Sequence, residues 1–231
     1  MPDALGGREI VLAGGAGGIG SAVAEALAAE GARVILSYRS KPRPGAIQAD
    51  ITQAADRRRL LDAAPQLYGL VVLAGEPARV RDASELEEAM RRSSEVNYAG
   101  PILLAREAAE RMRAAGTEGA IVLVGTMQAV ALVPGSTAYA GAKAALAHAA
   151  RILARECRGA NIRVNVVHPG VIEAGMALAS IAAGKYERYR GEGVIRRFGR
   201  AEDVARAIRF LLEPDNYVTG QELSVDGGIT L

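Results

Sequence analysis

The sequence predicts a doubly wound parallel α/β sheet with helices on both faces, folded as one domain over residues 1–231, and three observations carry that expectation. Short apolar runs alternate with segments of helical period along the whole chain, the pattern of strands joined by crossover helices. A glycine-rich turn, GGAGGIG, separates the first strand run from the first helix run. No internal repeat, low-complexity tract or linker interrupts the alternation, and 231 residues suffice for one substantial core. Right-handed crossovers then give the expected strand order 3-2-1-4-5-6-7.

Composition narrows the function. The 28 Lys and Arg are interspersed with 26 Asp and Glu for a net charge of +2, so no basic stripe argues for nucleic acid. Basic clusters such as Arg57-Arg58-Arg59 read as solvated helix faces. The single cysteine, Cys157, excludes an intrachain disulfide, reads as a packed thiol late in a helix, and leaves no metal-ligand cluster, so no metal is expected. No apolar stretch approaches eighteen residues and no leader pattern opens the chain, so no membrane association and a cytoplasmic location are expected.

The elements follow in order. Arg8–Ala13 is a buried-strand run, and Ser21–Glu30 is the helix after the glycine turn. Close approach of a dinucleotide pyrophosphate needs residues without Cβ and amide donors at a helix N-terminus, which Gly14, Gly18 and Gly20 supply. Ala32–Ser37 is a second strand, followed by Tyr38 and Arg39 where an adenosine ribose should lie. An acid there would bind a ribose 2′-hydroxyl, whereas arginine pairs with a 2′-phosphate, so NADP(H) is favoured, with NAD(H) the alternative. Only eight residues, two of them proline, run from Tyr38 to Gly45, too few for the usual crossover helix, so a loop is expected. Ala46–Ile51 is a third strand, Gln53–Ala64 a helix, and Gly69–Ala74 a fourth strand.

Ala83–Ser93 and Tyr98–Ala114 have helical period, with Asn97 opening the second as a common cap residue. After the strand Ala120–Val124 comes Thr126, and the alanine-rich run Ala138–Ala154 reads as a helix. Tyr139 and Lys143 are four apart there, so both side chains leave one face, and an ammonium near a phenol should favour the phenolate. Asn161–Val167 is a strand ending at His168-Pro169-Gly170. His148 and His168 lack an obvious acid partner and read as structural. Met176–Arg196 names no substrate, Ala201–Glu213 is an amphipathic helix stopped by Pro214, and YVTGQELSVDGG gives a turn, a strand and a turn.

With these motifs, the chain from about Arg8 onward resembles the short-chain dehydrogenase/reductase family. YxxxK is Tyr139 and Lys143, and Thr126 stands thirteen residues before Tyr139, where the family has serine. Ala13-Gly14-Gly15-Ala16-Gly17-Gly18-Ile19-Gly20 resembles TGxxxGIG, Asn97-Tyr98-Ala99-Gly100 resembles NxxG, and Pro169-Gly170 with Ile172 resembles PGxIxT. The resemblance implies hydride transfer between a nicotinamide cofactor and a small carbonyl or secondary alcohol, with Asn97, Thr126, Tyr139 and Lys143 catalytic. It implies cofactor contacts from Gly14, Gly18, Ile19 and Gly20 at the pyrophosphate, Arg39 at the ribose, and Asp50 and Ile51 at the adenine. Ala74 and Gly75 would lie beside the ribose, and Tyr139, Lys143, Pro169, Gly170 and Ile172 beside the nicotinamide end. A substrate lid over about 171–196 and pairing of helices into a homodimer or homotetramer are implied too. Likeness to 3-oxoacyl-acyl-carrier-protein reductases in NVVHPGVIEAGM and in the tail makes an acyl thioester a candidate substrate. The departures are Ala13 and Ala174 for threonines, Val72-Leu73-Ala74-Gly75 for NNAG, and the shortened crossover. They leave open the alternative of a catalytically silent dinucleotide-binding regulatory protein of the same fold.

Overall fold

Seven parallel strands form the centre of the protein: β1 (Glu9–Ala13), β2 (Arg33–Tyr38), β3 (Ile47–Gln48), β4 (Leu67–Val72), β5 (Gly119–Val124), β6 (Ile162–Pro169) and β7 (Glu222–Val225). Their order is β3-β2-β1-β4-β5-β6-β7, as the alternation of elements implied. The computed structural model describes residues 3–80 and 82–231. Every residue of β1, β4 and β5 is buried, which is why these strands read as unbroken apolar runs instead of alternating ones.

Helices cover both faces. Ile10 and Leu12 of β1 pack with Val23 and Leu27 of α1 (Gly18–Ala29) and with Val204, Ile208 and Leu211 of α8 (Ala201–Leu212). The alternate residues, Val11 and Ala13, face the opposite layer. That layer takes Leu60 and Leu61 from α2 (Ala54–Asp62), Leu104, Ala108 and Met112 from α4 (Gly100–Ala114), and Leu146, Ala150 and Leu153 from α5 (Thr137–Glu156). Cys157 is buried in the same layer.

Three local expectations change. Arg57 is buried instead of solvated, because its guanidinium donates to Glu107 at 2.9 Å and to the Ile51 carbonyl at 2.9 Å. Asn97 does not cap a helix: α3 (Leu86–Ser94) runs through a π-helical turn, Glu95–Ala99, directly into α4. The third strand shrinks to two residues, paired Ser37↔Ile47 and Tyr38↔Gln48, with the expected loop replacing the crossover before it. The segment after β6 contains two short helices, α6 (Leu178–Ala182) and α7 (Glu187–Glu192). Because all strands are parallel, the loops after β1, β2, β4, β5 and β6 emerge at one edge of the sheet, where ligands bind in open α/β folds.

Candidate active site

Those loops enclose a cleft of about 430 Å³. It is lined by fifteen residues singled out from the sequence: Gly14, Gly18, Ile19, Gly20, Arg39, Asp50, Ile51, Ala74, Gly75, Thr126, Tyr139, Lys143, Pro169, Gly170 and Ile172. Asn97 is fully buried behind the wall.

At one end lies the glycine turn. Gly14 has φ +80°, and a Cβ there would sit 2.7 Å from the Ala74 amide, so both its conformation and its closeness to the β4 loop require glycine. A Cβ on Gly20 would lie 2.5 Å from the Gly15 carbonyl, so glycine also lets α1 start tight against the turn. Helix α1 begins at Gly18, earlier than its apolar period showed, with no side-chain cap and no acid in its first turn. Its first amides and the positive end of its dipole are therefore suited to an anion. Asp50 makes a turn, accepting from the Thr52 amide at 3.0 Å and hydroxyl at 2.8 Å, and still lines the cleft.

Arg39 is not a free surface charge: it is ion-paired with Glu76, which also takes Arg92 at 2.6 Å. The two guanidinium groups hold the Glu76 carboxyl below its usual range against the opposing effect of partial burial. A second cation that sequence reading missed is Arg43, in the loop replacing the crossover helix. It donates to the Ser21 hydroxyl at 2.8 Å and to the Gly15 carbonyl at 3.4 Å. The turn thus has an arginine against it although Gly17 itself carries no side chain.

At the other end, Thr126, Tyr139 and Lys143 meet. Thr126 lies two residues beyond β5, and its oxygen accepts from the Gln128 amide at 3.3 Å, capping the short turn Met127–Ala129. Helix α5 places Tyr139 and Lys143 one turn apart, with Ala138 and Ala142 buried beside them. The Lys143 ammonium donates to the Val124 carbonyl at 2.7 Å, and its burial lowers the ammonium pKa to about 8. The expected phenolate is not what the structure favours. Burial raises the Tyr139 pKa, hydrogen bonding with Thr126 only partly opposes it, and the Tyr186 phenol adds to the rise.

Asn97 is held by three bonds. Its Oδ1 accepts from the Glu76 amide, and its Nδ2 donates to the Glu76 carbonyl and to Ser93 Oγ, each at 2.9 Å. A Cβ at Gly75 would be 2.9 Å from Asn97 Oδ1 and 3.4 Å from Lys143 Nζ, so glycine leaves room beside both.

His168 does have an acid partner. Its Nε2 lies 3.1 Å from Glu222 on β7, while Nδ1 lies 3.1 Å from the Thr126 amide nitrogen. With Nε2–H donating to the carboxylate, Nδ1 accepts from Thr126 and fixes the backbone under its hydroxyl. A Cβ on Gly125 would fall on this imidazole, which explains glycine next to Thr126.

Residues 14–230 match the family described as enoyl-(acyl carrier protein) reductase. A solved short-chain type dehydrogenase/reductase from Mycobacterium ulcerans is 30% identical, with a TM-score of 0.88 over 98% of this chain and 90% of that one. This chain belongs to the short-chain dehydrogenase/reductase family. Carbonyl reductase family member 4 of Danio rerio is 34% identical over 97% of this chain and 98% of its own. The NADPH-dependent 3-quinuclidinone reductase from Rhodotorula rubra is 27% identical, with a TM-score of 0.88 over 99% of this chain and 93% of that one. As a short-chain dehydrogenase/reductase the protein is an oxidoreductase. Among the described residues no cluster of His, Cys, Asp or Glu is arranged to hold a metal ion, and no helix is long and apolar enough to cross a membrane.

Proposed function

We propose that this short-chain dehydrogenase/reductase interconverts a carbonyl and a secondary alcohol with NADP(H), using Thr126, Tyr139, Lys143 and Asn97. One observation carries the reading: a hydroxyl, a phenol and an ammonium line the same cleft as an uncapped, acid-free helix N-terminus behind a glycine turn. The amides of that turn suit a pyrophosphate, and the room beside Gly75 suits a ribose near Lys143. Bound nicotinamide would supply the hydride in reduction and take it back in oxidation.

The protein's own part is to hold the oxygen and move its proton. Thr126 and Tyr139 donate hydrogen bonds to the carbonyl oxygen, and the Tyr139 proton passes to that oxygen as negative charge develops on it. The raised Tyr139 pKa keeps the phenol protonated for this step. Lys143, held by its bond to the Val124 carbonyl, then stabilises the phenolate. Asn97 Oδ1 accepts one bond and has a further lone pair, so the route returning the proton is assigned to the space between it and Lys143. The segment 171–196 serves as the substrate lid, with Tyr186 reaching the cleft.

Arg39 supports NADP(H), as does the NADPH dependence of the Rhodotorula relative. A 31% identical 3-oxoacyl-[acyl-carrier-protein] reductase of Thermotoga maritima supports an acyl thioester as the carbonyl compound, and the Danio relative supports a broader carbonyl range. The test is a panel of ketones, 3-oxoacyl thioesters and alcohols, assayed with NADPH, NADH and their oxidised forms. Turnover with NADPH is expected. Cofactor binding without turnover would instead select a silent regulatory protein, which the replacement of NNAG by Val72-Leu73-Ala74-Gly75 favours.

A further inference from the structure

Arg39 follows β2 and Glu76 lies in the loop after β4, and these two strands flank β1, whose glycine turn forms the floor between them. Their ion pair therefore joins the two sides of the cleft at its nucleotide end. Arg39 lines that cleft, as does Gly75 next to Glu76. The Glu76 carboxylate is shared, because Arg92 approaches from α3 with bonds of 3.0 and 2.6 Å. Glu76 is also anchored through its main chain, whose amide and carbonyl are both bonded to Asn97. The carboxylate is thus aimed by a fixed backbone, while Arg39 and Arg92 are the longer, half-exposed arms that reach it.

We propose that Glu76 is a specificity-determining residue, a latch that competes with the cofactor's 2′-phosphate for Arg39. The inference rests on the NADP(H) reading above. A 2′-phosphate offers Arg39 an anionic partner in exchange for the carboxylate, whereas a 2′-hydroxyl does not. Arg92 remains to neutralise Glu76 when Arg39 leaves, so opening does not strand a carboxylate. Glu76 therefore weakens NADPH binding and leaves NADH binding nearly unchanged, narrowing the preference that Arg39 alone would give.

The test is calorimetric titration of NADPH and NADH into the full-length protein, its Glu76→Gln, Arg92→Gln and Arg39→Ala variants, and the Arg39→Ala/Glu76→Gln double variant. Glutamine retains the shape of Glu76 and the main-chain bonds to Asn97. An exposed ion pair is worth up to about 1 kcal/mol, so Glu76→Gln should tighten NADPH about two- to five-fold and move NADH less than about two-fold. Arg92→Gln leaves Glu76 wholly to Arg39 and should weaken NADPH about two- to five-fold, a sign that general loosening of the loop would not produce. In the Arg39→Ala background the Glu76→Gln gain should vanish. If Arg39→Ala weakens NADPH selectively but Glu76→Gln fails to tighten it, the latch is wrong and the NADP(H) reading stands. Equal loss of both nucleotides in Arg39→Ala would overturn the two together, as would failure of NADPH to bind the wild type.

Discussion

Lys143 places a positive charge at a buried position in the cleft wall, and its pKa of about 8 has two consequences of opposite sign. Reduction needs the ammonium charged, so kcat/KM for the carbonyl should fall as pH rises through about 8; Lys143→Arg, which keeps its charge, should move the fall upward. Stability behaves in reverse. Burial disfavours the charged form, so its penalty is fully present below pH 8 and relieved between about 8 and the ordinary 10.5. Urea midpoints should therefore rise across that interval relative to Lys143→Met. Tyr139→Phe removes the proton donor and little volume, and should lower turnover by about 10²-fold or more with cofactor affinity within a few-fold; retention of a tenth of the activity would remove Tyr139 from the role. Thr126→Ser should turn over and Thr126→Val should nearly fail, since only the hydroxyl can hold the oxygen. Thr126, Tyr139 and Lys143 were legible because a helix period and a short spacing connect them. The Arg39–Glu76 pair and the His168–Glu222 contact were not, because 37 and 54 positions separate the partners and only the sheet order brings them together.

The π-turn Glu95–Ala99 shows why element boundaries were harder to read than elements. One extra residue per turn shifts the apolar phase, so a continuous run from α3 into α4 looks like two helices with Asn97 as the opening of the second. At this turn the Asn97 side chain bonds to the β4 loop at Glu76 as well as to Ser93 of α3. Asn97→Ala removes the partner of a partly buried amide and carbonyl of Glu76 and should cost about 1–3 kcal/mol in urea unfolding. A loss under 1 kcal/mol would mean that solvent satisfies those groups. At the far end of the sheet, Arg163 on β6 donates to the Leu211 and Glu213 carbonyls at 2.7 and 2.8 Å and so ends α8. Arg163→Met should lower stability by about 1–2 kcal/mol, checked by the same unfolding measurement. The helices α6 and α7, of five and six residues, were invisible to periodicity because neither completes two turns.

For the molecule as a whole, α4 and α5 expose Leu103 and Ile152 and are tied by Arg106 to Glu156 at 2.7 Å, a surface on which copies of the chain should pair. Light scattering at micromolar concentration should give a dimer or tetramer, and Leu103→Glu with Ile152→Glu should give a monomer; a wild-type monomer would dismiss the pairing. The doubly wound architecture itself was readable because short unbroken apolar runs alternating with helical segments are the pattern of strands covered on both faces, as β1, β4 and β5 are. The loop that replaces the second crossover gives the β3 margin of the sheet less endurance than its centre. Strand β3 is attached through two residue pairs only, so its amide protons should exchange through small local openings while those of β1, β4 and β5 wait for global unfolding. A nucleotide seated between Arg39 and Asp50 would do for this margin what a packed helix does elsewhere. Deuterium uptake over residues 39–52 should therefore slow far more on adding NADPH than uptake over 119–124, and equal slowing in both segments would mean that the margin needs no such support.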